Sequence, residues 1–316
     1  MHDNSHSWPR GLALADWRAT HDTLHMWMQI VGKTRLALAP PENHWWHVTL
    51  YVSPRGLTTS AIPYGAGAFD AELDFIKHRL RVRTSSGASR EILLRSQAVA
   101  DFYREYIDVL AGLGIALTMR PVPDEVEHPI PFADDRVHAT YDPGQVRQFF
   151  QMLLQADRVT KRFKGRFFGK SSPVHFFWGA FDLALTRFSG RRAPQSEDAS
   201  KMMREAMSHE EFSVGFWPGS GTVTEPAFYA YVRPEPAGLA EASVRPAAAV
   251  YNRELADFIL PYEAARAAAR PDDAVLDFYQ SAYDAAADLA RWDRVALDRP
   301  PSEWPDEAAA QGPLEK

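Results

Sequence analysis

The chain has 316 residues, of which 46% are hydrophobic and 24% charged, and its formal net charge is −6. This composition is typical of a folded globular protein, and the mild acidity weighs against a large nucleic-acid surface. Because cysteine is absent, disulfides, thiolate metal sites and a cysteine nucleophile are excluded. No basic leader and no apolar run of about 18 residues occurs, so we expect a cytoplasmic protein without membrane contact.

A long helix and a meander of short strands are predicted for the first third of the chain. Apolar residues recur with a helical period before Pro40 and Pro41, which predicts a helix from Ala13 to about Leu38. The run HWWHVTLYV alternates like a strand and would send Trp46 and His47 to opposite faces. We then expect strands near 56–62, 69–76, 79–84 and 90–95, a hairpin turn at 85–87, a helix from Ser96 to Leu113 and a strand at 115–119.

The second part of the chain is predicted to repeat this order. Residues 121–142 are rich in Pro and Asp and indicate a linker. A helix from Pro143 to about Phe168 leads into Ser172–Pro194, whose two faces are both apolar and which we interpret as one strand at the centre of a buried sheet. Further strands are predicted at 211–216, 227–233 and 245–251, helices at 254–269 and 272–292, and flexible ends at 1–12 and 296–316.

A fixed offset between the two parts aligns Lys33, His44 and Trp46 with Lys164, His175 and Phe177. The strand alternation also survives this offset, so a duplication is one interpretation and coincidence is the other. We therefore predict an α+β fold with antiparallel sheets and long helices packed on them. The two similar halves would comprise residues 13–120 and 143–295 and meet at a cleft.

Nucleotide-binding and esterase motifs are excluded by spacing. Gly32 and Gly169 each begin a Gly-Lys-Ser/Thr triplet, but the P-loop glycine that should precede each is replaced by Trp27 or Lys164. A GSG triplet near residue 220 lacks the third glycine of a dinucleotide-binding turn, and no GxSxG nucleophile elbow is present.

Histidines supply the sharpest chemical hypothesis. His21 and His25 have the spacing that lets one helical face bind a metal, and His44 and His47 could add ligands. No Glu lies between the first pair, however, and a regular strand would separate the second pair. The plain alternative is hydrogen-bonded histidines at a core edge. No metal is therefore predicted, and His25, His44 and His47 are the candidates if there is one.

The basic segment 158–170 allows three interpretations. Its Lys and Arg residues alternate with Phe163, Phe167 and Phe168, as in some nucleic-acid surfaces. On a helix the same pattern gives a solvated amphipathic face, and matched cations from two halves could also hold an anionic substrate.

Asp182 is the one carboxylate in the apolar run and needs a partner. A bulge at Gly179 would let His175 and Asp182 work as an acid-base pair. Otherwise Asp182 anchors Arg187 or Arg191, which is the interpretation we prefer.

The long blocks TLHMWMQIVGKTRLALAPPENHWWHVTLYVSPRGLTT, ADFYREY, SPVHFFWGAFDLALTRFSGRRAP and GFWPGSG resemble a bacterial family known only as a domain of unknown function. The resemblance covers nearly all of residues 10–295 and implies no reaction, cofactor or catalytic residue. Its pattern includes His25, His44, His47 and His175 more firmly than His21, which favours His25 with Gln29 and Lys33 over a metal pair.

The function expected from these residues is an enzyme for a small anionic molecule. We assign catalytic roles to His25, His47, His175 and Asp182, and substrate contacts to Gln29, Lys33, Trp45, Trp46, Trp178, Arg187 and Arg191. No cofactor is predicted, and the oligomeric state is left open. The alternatives are a non-catalytic ligand-binding or protein-interaction module and nucleic-acid binding through residues 158–170.

Overall fold

The computed structural model describes residues 8–195, 198–219 and 223–304, which divide into two compact units. The N-terminal unit comprises Leu12–Gln151 with His175–Asp182, and the C-terminal unit comprises the chain up to Gly11, Met152–Val174 and the chain from Leu183 onward. The segment 121–142, predicted as a linker, lies inside the N-terminal unit. Its Phe132 and Asp135 are fully buried, so it is part of a packed structure.

Helices and antiparallel strands alternate in groups, which confirms the α+β class. The helices are α1 Leu14–Leu38, α2 Val99–Gly112, α3 Pro143–Lys164, α4 Lys201–Ala206, α5 Tyr262–Arg266, α6 Pro271–Leu289 and α7 Arg294–Leu297. The strands are β1 Tyr51–Ser53, β2 Gly56–Thr58, β3 Ile62–Tyr64, β4 Gly67–Asp74, β5 Arg79–Thr84, β6 Ser89–Leu93, β7 His175–Phe177, β8 Asp182–Arg192, β9 His209–Trp217, β10 Ala227–Arg233, β11 Val250–Asn252 and β12 Asp257–Pro261.

In the N-terminal unit the strands pair antiparallel in the order β1-β2-β4-β5-β6, and β3 pairs with β4. The predicted meander and the turn at 85–87 are confirmed. Helix α1 packs on α2 through Trp27, whose ring stacks on Phe102 and Tyr141 at centroid distances of 4.7 and 5.4 Å. The core of this unit is therefore aromatic, and α1 lies against it along most of its length.

In the C-terminal unit the strands pair antiparallel in the order β11-β12-β10-β9-β8. Alternate residues of β9 and β10 point towards α6, because a strand has a period of two. Phe212 contacts the ring of Tyr283 and Phe228 contacts that of Tyr279, both edge-on. Helix α6 thus covers one face of this sheet, and the helix predicted at 272–292 is confirmed.

The strand predicted for HWWHVTLYV is wrong over its first half. Asn43–Val48 forms a 3₁₀ helix in which His44 and Trp45 have φ values of 56° and 61°. Extended pairing begins only at Leu50, which bridges Phe176. Alternation between apolar and polar residues does not reveal left-handed backbone, so the predicted separation of faces fails here. The strand alternation that aligned the two halves is therefore absent around His44–Val48. The internal duplication remains a prediction.

Three other predictions differ from the structure. The run 172–194 is interrupted by a turn at 178–181, where Phe181 has a φ of 59°, so it forms β7 and β8 instead of one strand. Residues 115–119 form no strand. The helix predicted at 254–269 is β12 followed by the short α5. Apolar runs of this length fit either strand or helix, and packing on the sheet decides between them.

The predicted flexible ends are partly ordered. Trp8 is buried and its indole donates a hydrogen bond to Asp272, with a distance of 2.9 Å between Nε1 and Oδ1. At the other end, Asp298 and Trp304 are held by side-chain hydrogen bonds. Residues 1–7 and 305–316 lie outside the described residues. No helix of the described ranges is long and apolar enough to cross a membrane.

Candidate functional site

Four polar side chains of α1 lie on successive turns of the helix: His21, His25, Gln29 and Lys33. Their i, i+4 spacing places them on one face, as predicted. The partners of this face come from two distant segments of the N-terminal unit, the turn at 178–181 and the loop around Asp124. The site is therefore built by α1 together with two loops.

His25 is fixed by the backbone of the turn. Its Nε2 lies 2.9 Å from the carbonyl oxygens of both Trp178 and Gly179. Because carbonyls only accept hydrogen bonds, we assign the proton to Nε2 and a lone pair to Nδ1. Burial, with a smaller contribution from the nearby His21, lowers the pKa of His25 to about 4. At neutral pH His25 is therefore an uncharged imidazole.

Gln29 and Lys33 together hold Asp124. The Gln29 amide donates to the Asp124 carbonyl (2.7 Å) and accepts from the Asp124 N–H (2.9 Å). The ammonium of Lys33, which is only 2% exposed, lies 2.5 Å from the Asp124 carboxylate. Lys33 thus has an internal counter-ion. Its predicted role as a cation that holds an anionic substrate remains a prediction, and a substrate would have to compete with Asp124 for it.

Glu125 follows this anchored residue and has a backbone conformation that is rare for a glutamate, with a φ of 57°. Its carboxylate is turned onto Gly179, where a methyl group in place of the glycine hydrogen would lie 2.6 Å from Oε1. Burial of the carboxyl group raises the pKa of Glu125, and the Asp124 carboxylate raises it further. The rest of the residue is exposed.

Gly179 is the point at which the two titratable groups meet, since its carbonyl accepts from His25 and its Cα faces Glu125. Their pKa values are displaced in opposite directions, so both groups are uncharged over a wider pH range than usual. This pattern is typical of acid-base sites. A strained backbone is also frequent at functional positions. We call His25, Glu125 and Gly179 the acid-base site.

Sequence reasoning missed Asp124 and Glu125. Both lie in the Pro- and Asp-rich stretch that was interpreted as a linker, and no periodicity marks them. Lys33 and Gln29, the partners of Asp124, are 91 and 95 residues away in the chain. Gly179, which lies opposite Glu125, belongs to a third segment. No local signal in the sequence identifies such a pair.

Trp178 is a buried core residue, so little of its ring is accessible to a substrate. It is buried, and its indole N–H donates to the Val48 carbonyl at 2.7 Å. Its ring rests on Gly32 of α1, where a Cβ would be 2.2 Å from the indole. The Lys33 ammonium lies 5.5 Å from the ring centroid. Trp178 therefore joins the turn to the helix and positions the carbonyls that hold His25.

The HWWH segment is separate from the acid-base site, because no hydrogen bond or ring contact of His25 in the described residues involves it. His47 is buried; its Nδ1 accepts from the Glu42 N–H (3.3 Å) and its carbonyl accepts from Arg35 (2.8 Å). His44 is buried as well, while Trp45 and Trp46 are half-buried. These contacts indicate a structural role for His47.

His175 and Asp182 border the turn but are both buried. His175 is 0% exposed in β7, with its ring 4.6 Å from that of Phe177. Asp182 begins β8. Because His175 has no exposed surface in this conformation, its catalytic role and that of Asp182 remain predictions.

Arg187 and Arg191 belong to the C-terminal unit and have partners there. Arg187 is buried among aromatic rings, and Arg191 binds Glu210 (2.6 Å) and the carbonyl of Ala290 at the end of α6 (2.7 Å). The anchoring of Arg187 or Arg191 by Asp182 remains a prediction. Arg191 caps a helix C-terminus, a position that favours a cation.

The basic segment 158–170 is largely neutralised within the structure. Arg158 and Arg162 bind Asp272, Lys161 binds Asp157 and Lys164 donates to the Ser172 carbonyl. Cations held by internal partners have less charge to offer phosphates, and nucleic-acid binding through this segment remains a prediction. No three His, Asp or Glu side chains of the described residues are placed to share a metal ion.

Fold and site together define an α+β protein with two antiparallel sheets, in which His25 of the first helix and Glu125 both approach Gly179. The chain belongs to the family of unknown function DUF5996, which matches it over residues 8–299. No curated protein and no solved structure matches the chain significantly.

The neutral state of His25 gives a pH-dependence of stability. Because the folded pKa of about 4 lies below the ordinary value of 6.5, protonation favours the unfolded chain. The stabilisation that depends on an uncharged His25, about 3 kcal/mol in all, is fully present above pH 6.5 and is lost as the pH falls towards 4. Urea unfolding between pH 7 and 4 should show this slope, and His25→Gln should flatten it. A His25 titration near pH 6.5 by NMR would contradict the assignment.

Proposed function

We propose that this protein is an enzyme that transfers a proton to or from a small polar molecule at the acid-base site. The observation that carries the proposal is the meeting of His25 and Glu125 at Gly179, with Glu125 in left-handed backbone conformation. Gln29 and Lys33 support this conformation, because they hold the preceding residue at its backbone and side chain. A carboxyl group and an imidazole that approach the same glycine could both reach one small substrate, as general acid-base catalysis requires.

The two groups have different roles. Glu125 exchanges the proton, because a carboxyl group whose pKa is raised towards neutral pH is both an adequate acid and an adequate base. His25 is too weak a base to take a proton at neutral pH. Its N–H is used by the backbone, so its Nδ1 lone pair accepts a hydrogen bond from the substrate and orients it.

The charges around the site change the expected substrate. Asp22, Asp124 and Glu125 are acidic, and the nearest buried cation, Lys33, is neutralised by Asp124. Because the charge of Lys33 is neutralised by Asp124, the site offers little net positive charge to an anion, and a neutral or cationic polar molecule fits better. The original expectation of an anion rested on Lys33, Arg187 and Arg191, which have internal partners.

The proposal is tested with Glu125→Gln and His25→Gln against Glu127→Gln, a control that removes a fully solvated carboxylate two residues away. Each protein is incubated with a defined mixture of amides, esters, amines and sugars, and conversion is followed by mass spectrometry. General acid-base groups contribute about 10²–10⁴-fold, so Glu125→Gln should lose at least about 100-fold in rate while Glu127→Gln keeps it.

His25→Gln should raise KM more than it lowers kcat, since it removes an orienting contact. Equal conversion by Glu125→Gln and the control would refute the proposal. Compounds that bind tightly and are never converted would instead favour the alternative, a non-catalytic ligand-binding module.

A further inference from the structure

The C-terminal unit contains a buried carboxyl group without a hydrogen-bond partner. Glu211 on β9 is 6% exposed, and no hydrogen bond or ion pair within residues 8–195, 198–219 and 223–304 involves its side chain. The next residue, Phe212, points towards α6, where its ring contacts that of Tyr283, so Glu211 points to the opposite face of the sheet. Most buried polar groups are paired, so this exception requires an explanation.

The carboxyl oxygens of Glu211 are accessible although most of the residue is buried. Among the unpaired polar atoms in the described part of the chain, the indole nitrogen of Trp217 on the same strand is fully enclosed, whereas the Glu211 oxygens are not. The small exposed fraction of Glu211 therefore includes its carboxyl group. This group lies at the base of a narrow opening on this face of the sheet.

Glu211 keeps its proton at neutral pH. Burial raises its pKa to about 8, and the charge of Arg233, its cross-strand neighbour on β10, opposes this shift only in part. The Arg233 guanidinium is bound elsewhere, since it lies 3.0 Å from the Asp257 carboxylate and donates to the carbonyls of Leu255 and Ala256. Glu211 is therefore an uncharged carboxylic acid that offers one O–H donor and one C=O acceptor.

The groups beside Glu211 are satisfied or apolar. Ser213, two residues further along the same strand face, has its hydroxyl 2.7 Å from that of Thr186. Phe188, the cross-strand neighbour on β8, presents a ring that is 2% exposed. Because the neighbouring guanidinium is neutralised by its own carboxylate partner, a molecule without net charge fits this opening best.

We propose that the opening at Glu211 binds a small neutral molecule through a planar amide group, whose C=O accepts from the Glu211 O–H and whose N–H donates to the Glu211 C=O. An unsatisfied buried polar group costs about 1–3 kcal/mol, and this pair of hydrogen bonds removes that cost. The partly exposed ring of Tyr231 lies diagonally across from Glu211 on β10, which favours a flat group attached to the amide. The site is in the other unit from the acid-base site and does not depend on the proposed function.

Four probes of nearly the same shape test the chemistry of this site by NMR titration: benzamide, acetophenone, benzoate and benzamidinium. Benzamide should bind with a millimolar Kd, and acetophenone, which has no N–H, should bind at least about tenfold more weakly. Benzoate and benzamidinium have a net charge and should also bind more weakly than benzamide. A charged probe that binds more tightly than benzamide would overturn the assignment of a neutral molecule.

Variants of Glu211 locate the binding. Glu211→Met removes both the donor and the acceptor and should weaken benzamide binding at least about tenfold. Glu211→Gln keeps an acceptor and an N–H donor and should retain most of the affinity. The matched control is Glu241→Gln, which removes an exposed carboxylate of the same unit, and urea unfolding checks that each variant is folded.

The pH gives a further readout. Benzamide affinity should fall as the pH rises through about 8, because ionised Glu211 has no O–H to donate, and Glu211→Gln should lose this dependence. Burial raises the pKa of Asp257 to about 6 and lowers that of His209, so neither titrates in this range. The other charged groups on this side of the sheet are Arg233 and Lys170.

The proposal is overturned if benzamide does not bind at tens of millimolar, or if Glu211→Met binds it like Glu241→Gln. A folded Glu211→Gln protein that binds no benzamide would contradict the paired hydrogen bonds. Glu125→Gln should bind benzamide at Glu211 as the wild type does, so failure of the acid-base proposal would leave this one standing.

Discussion

Gly32→Ala is expected to lower the free energy of unfolding by about 3 kcal/mol or more. Alanine is the better helix former by about 1 kcal/mol, so local propensity alone predicts stabilisation of α1. The new Cβ would, however, lie 2.2–2.4 Å from three atoms of the Trp178 indole. This indole is buried and held by Val48, so it has no space to retreat and overpacking results.

The matched control is Gly112→Ala at the last residue of α2, where a Cβ would meet nothing within 4 Å. Its stability should stay the same or rise by up to about 1 kcal/mol. Urea unfolding followed by tryptophan fluorescence measures both variants. If Gly32→Ala were as stable as the control, Trp178 would not be seated on α1 as described. The NMR titration of His25 should also shift in Gly32→Ala, because the carbonyls of Trp178 and Gly179 hold its imidazole.

Arg187→Ala is expected to cost about 3 kcal/mol, whereas Arg187→Met should cost less than about 1 kcal/mol. Alanine leaves a cavity between Phe163, Phe167 and Tyr283 and deprives those rings of contact. Methionine fills much of the same space and removes a buried charge that has no ion-pair partner among residues 8–195, 198–219 and 223–304, an exchange that is often neutral. The difference in the free energy of unfolding between the two variants therefore separates the effect of lost side-chain volume from the effect of lost charge.

Thermal and urea unfolding in buffers without oxyanions measure the two Arg187 variants. Arg191→Met provides the control, since Arg191 is exposed and its ion pair with Glu210 should be worth no more than about 1 kcal/mol. Equal losses for alanine and methionine at position 187 would show that the guanidinium is needed for folding. The charge would then be part of the scaffold.

The sequence predicted those elements whose pattern is local. Helices α1 and α6 and the strands around 67–84 were found because their apolar residues repeat with a period of 3.6 or 2. The α+β class followed from their order. Errors occurred where the backbone is left-handed, at His44 and Phe181, because hydrophobicity does not record φ.

The sequence also predicted only part of the candidate site, the residues that are spaced regularly along one helix. His25, Gln29 and Lys33 were identified as one polar stripe from their spacing alone, and the structure keeps them on one face. Their partners were not identified. Lys33 was expected to bind a substrate and instead binds Asp124, while Glu125 was overlooked in an apparent linker.

The amino-acid sequence by itself determined which segments are helix or strand and which helical face is polar, since both depend on neighbours within about four residues. Only the tertiary structure decided that the carbonyls of Trp178 and Gly179, more than 150 positions beyond His25, set its tautomer and that burial keeps it uncharged. It also decided that Glu125 faces the same glycine. The reason is physical: pKa values and charge compensation depend on burial and on groups within a few ångströms in space, and packing of distant segments creates both.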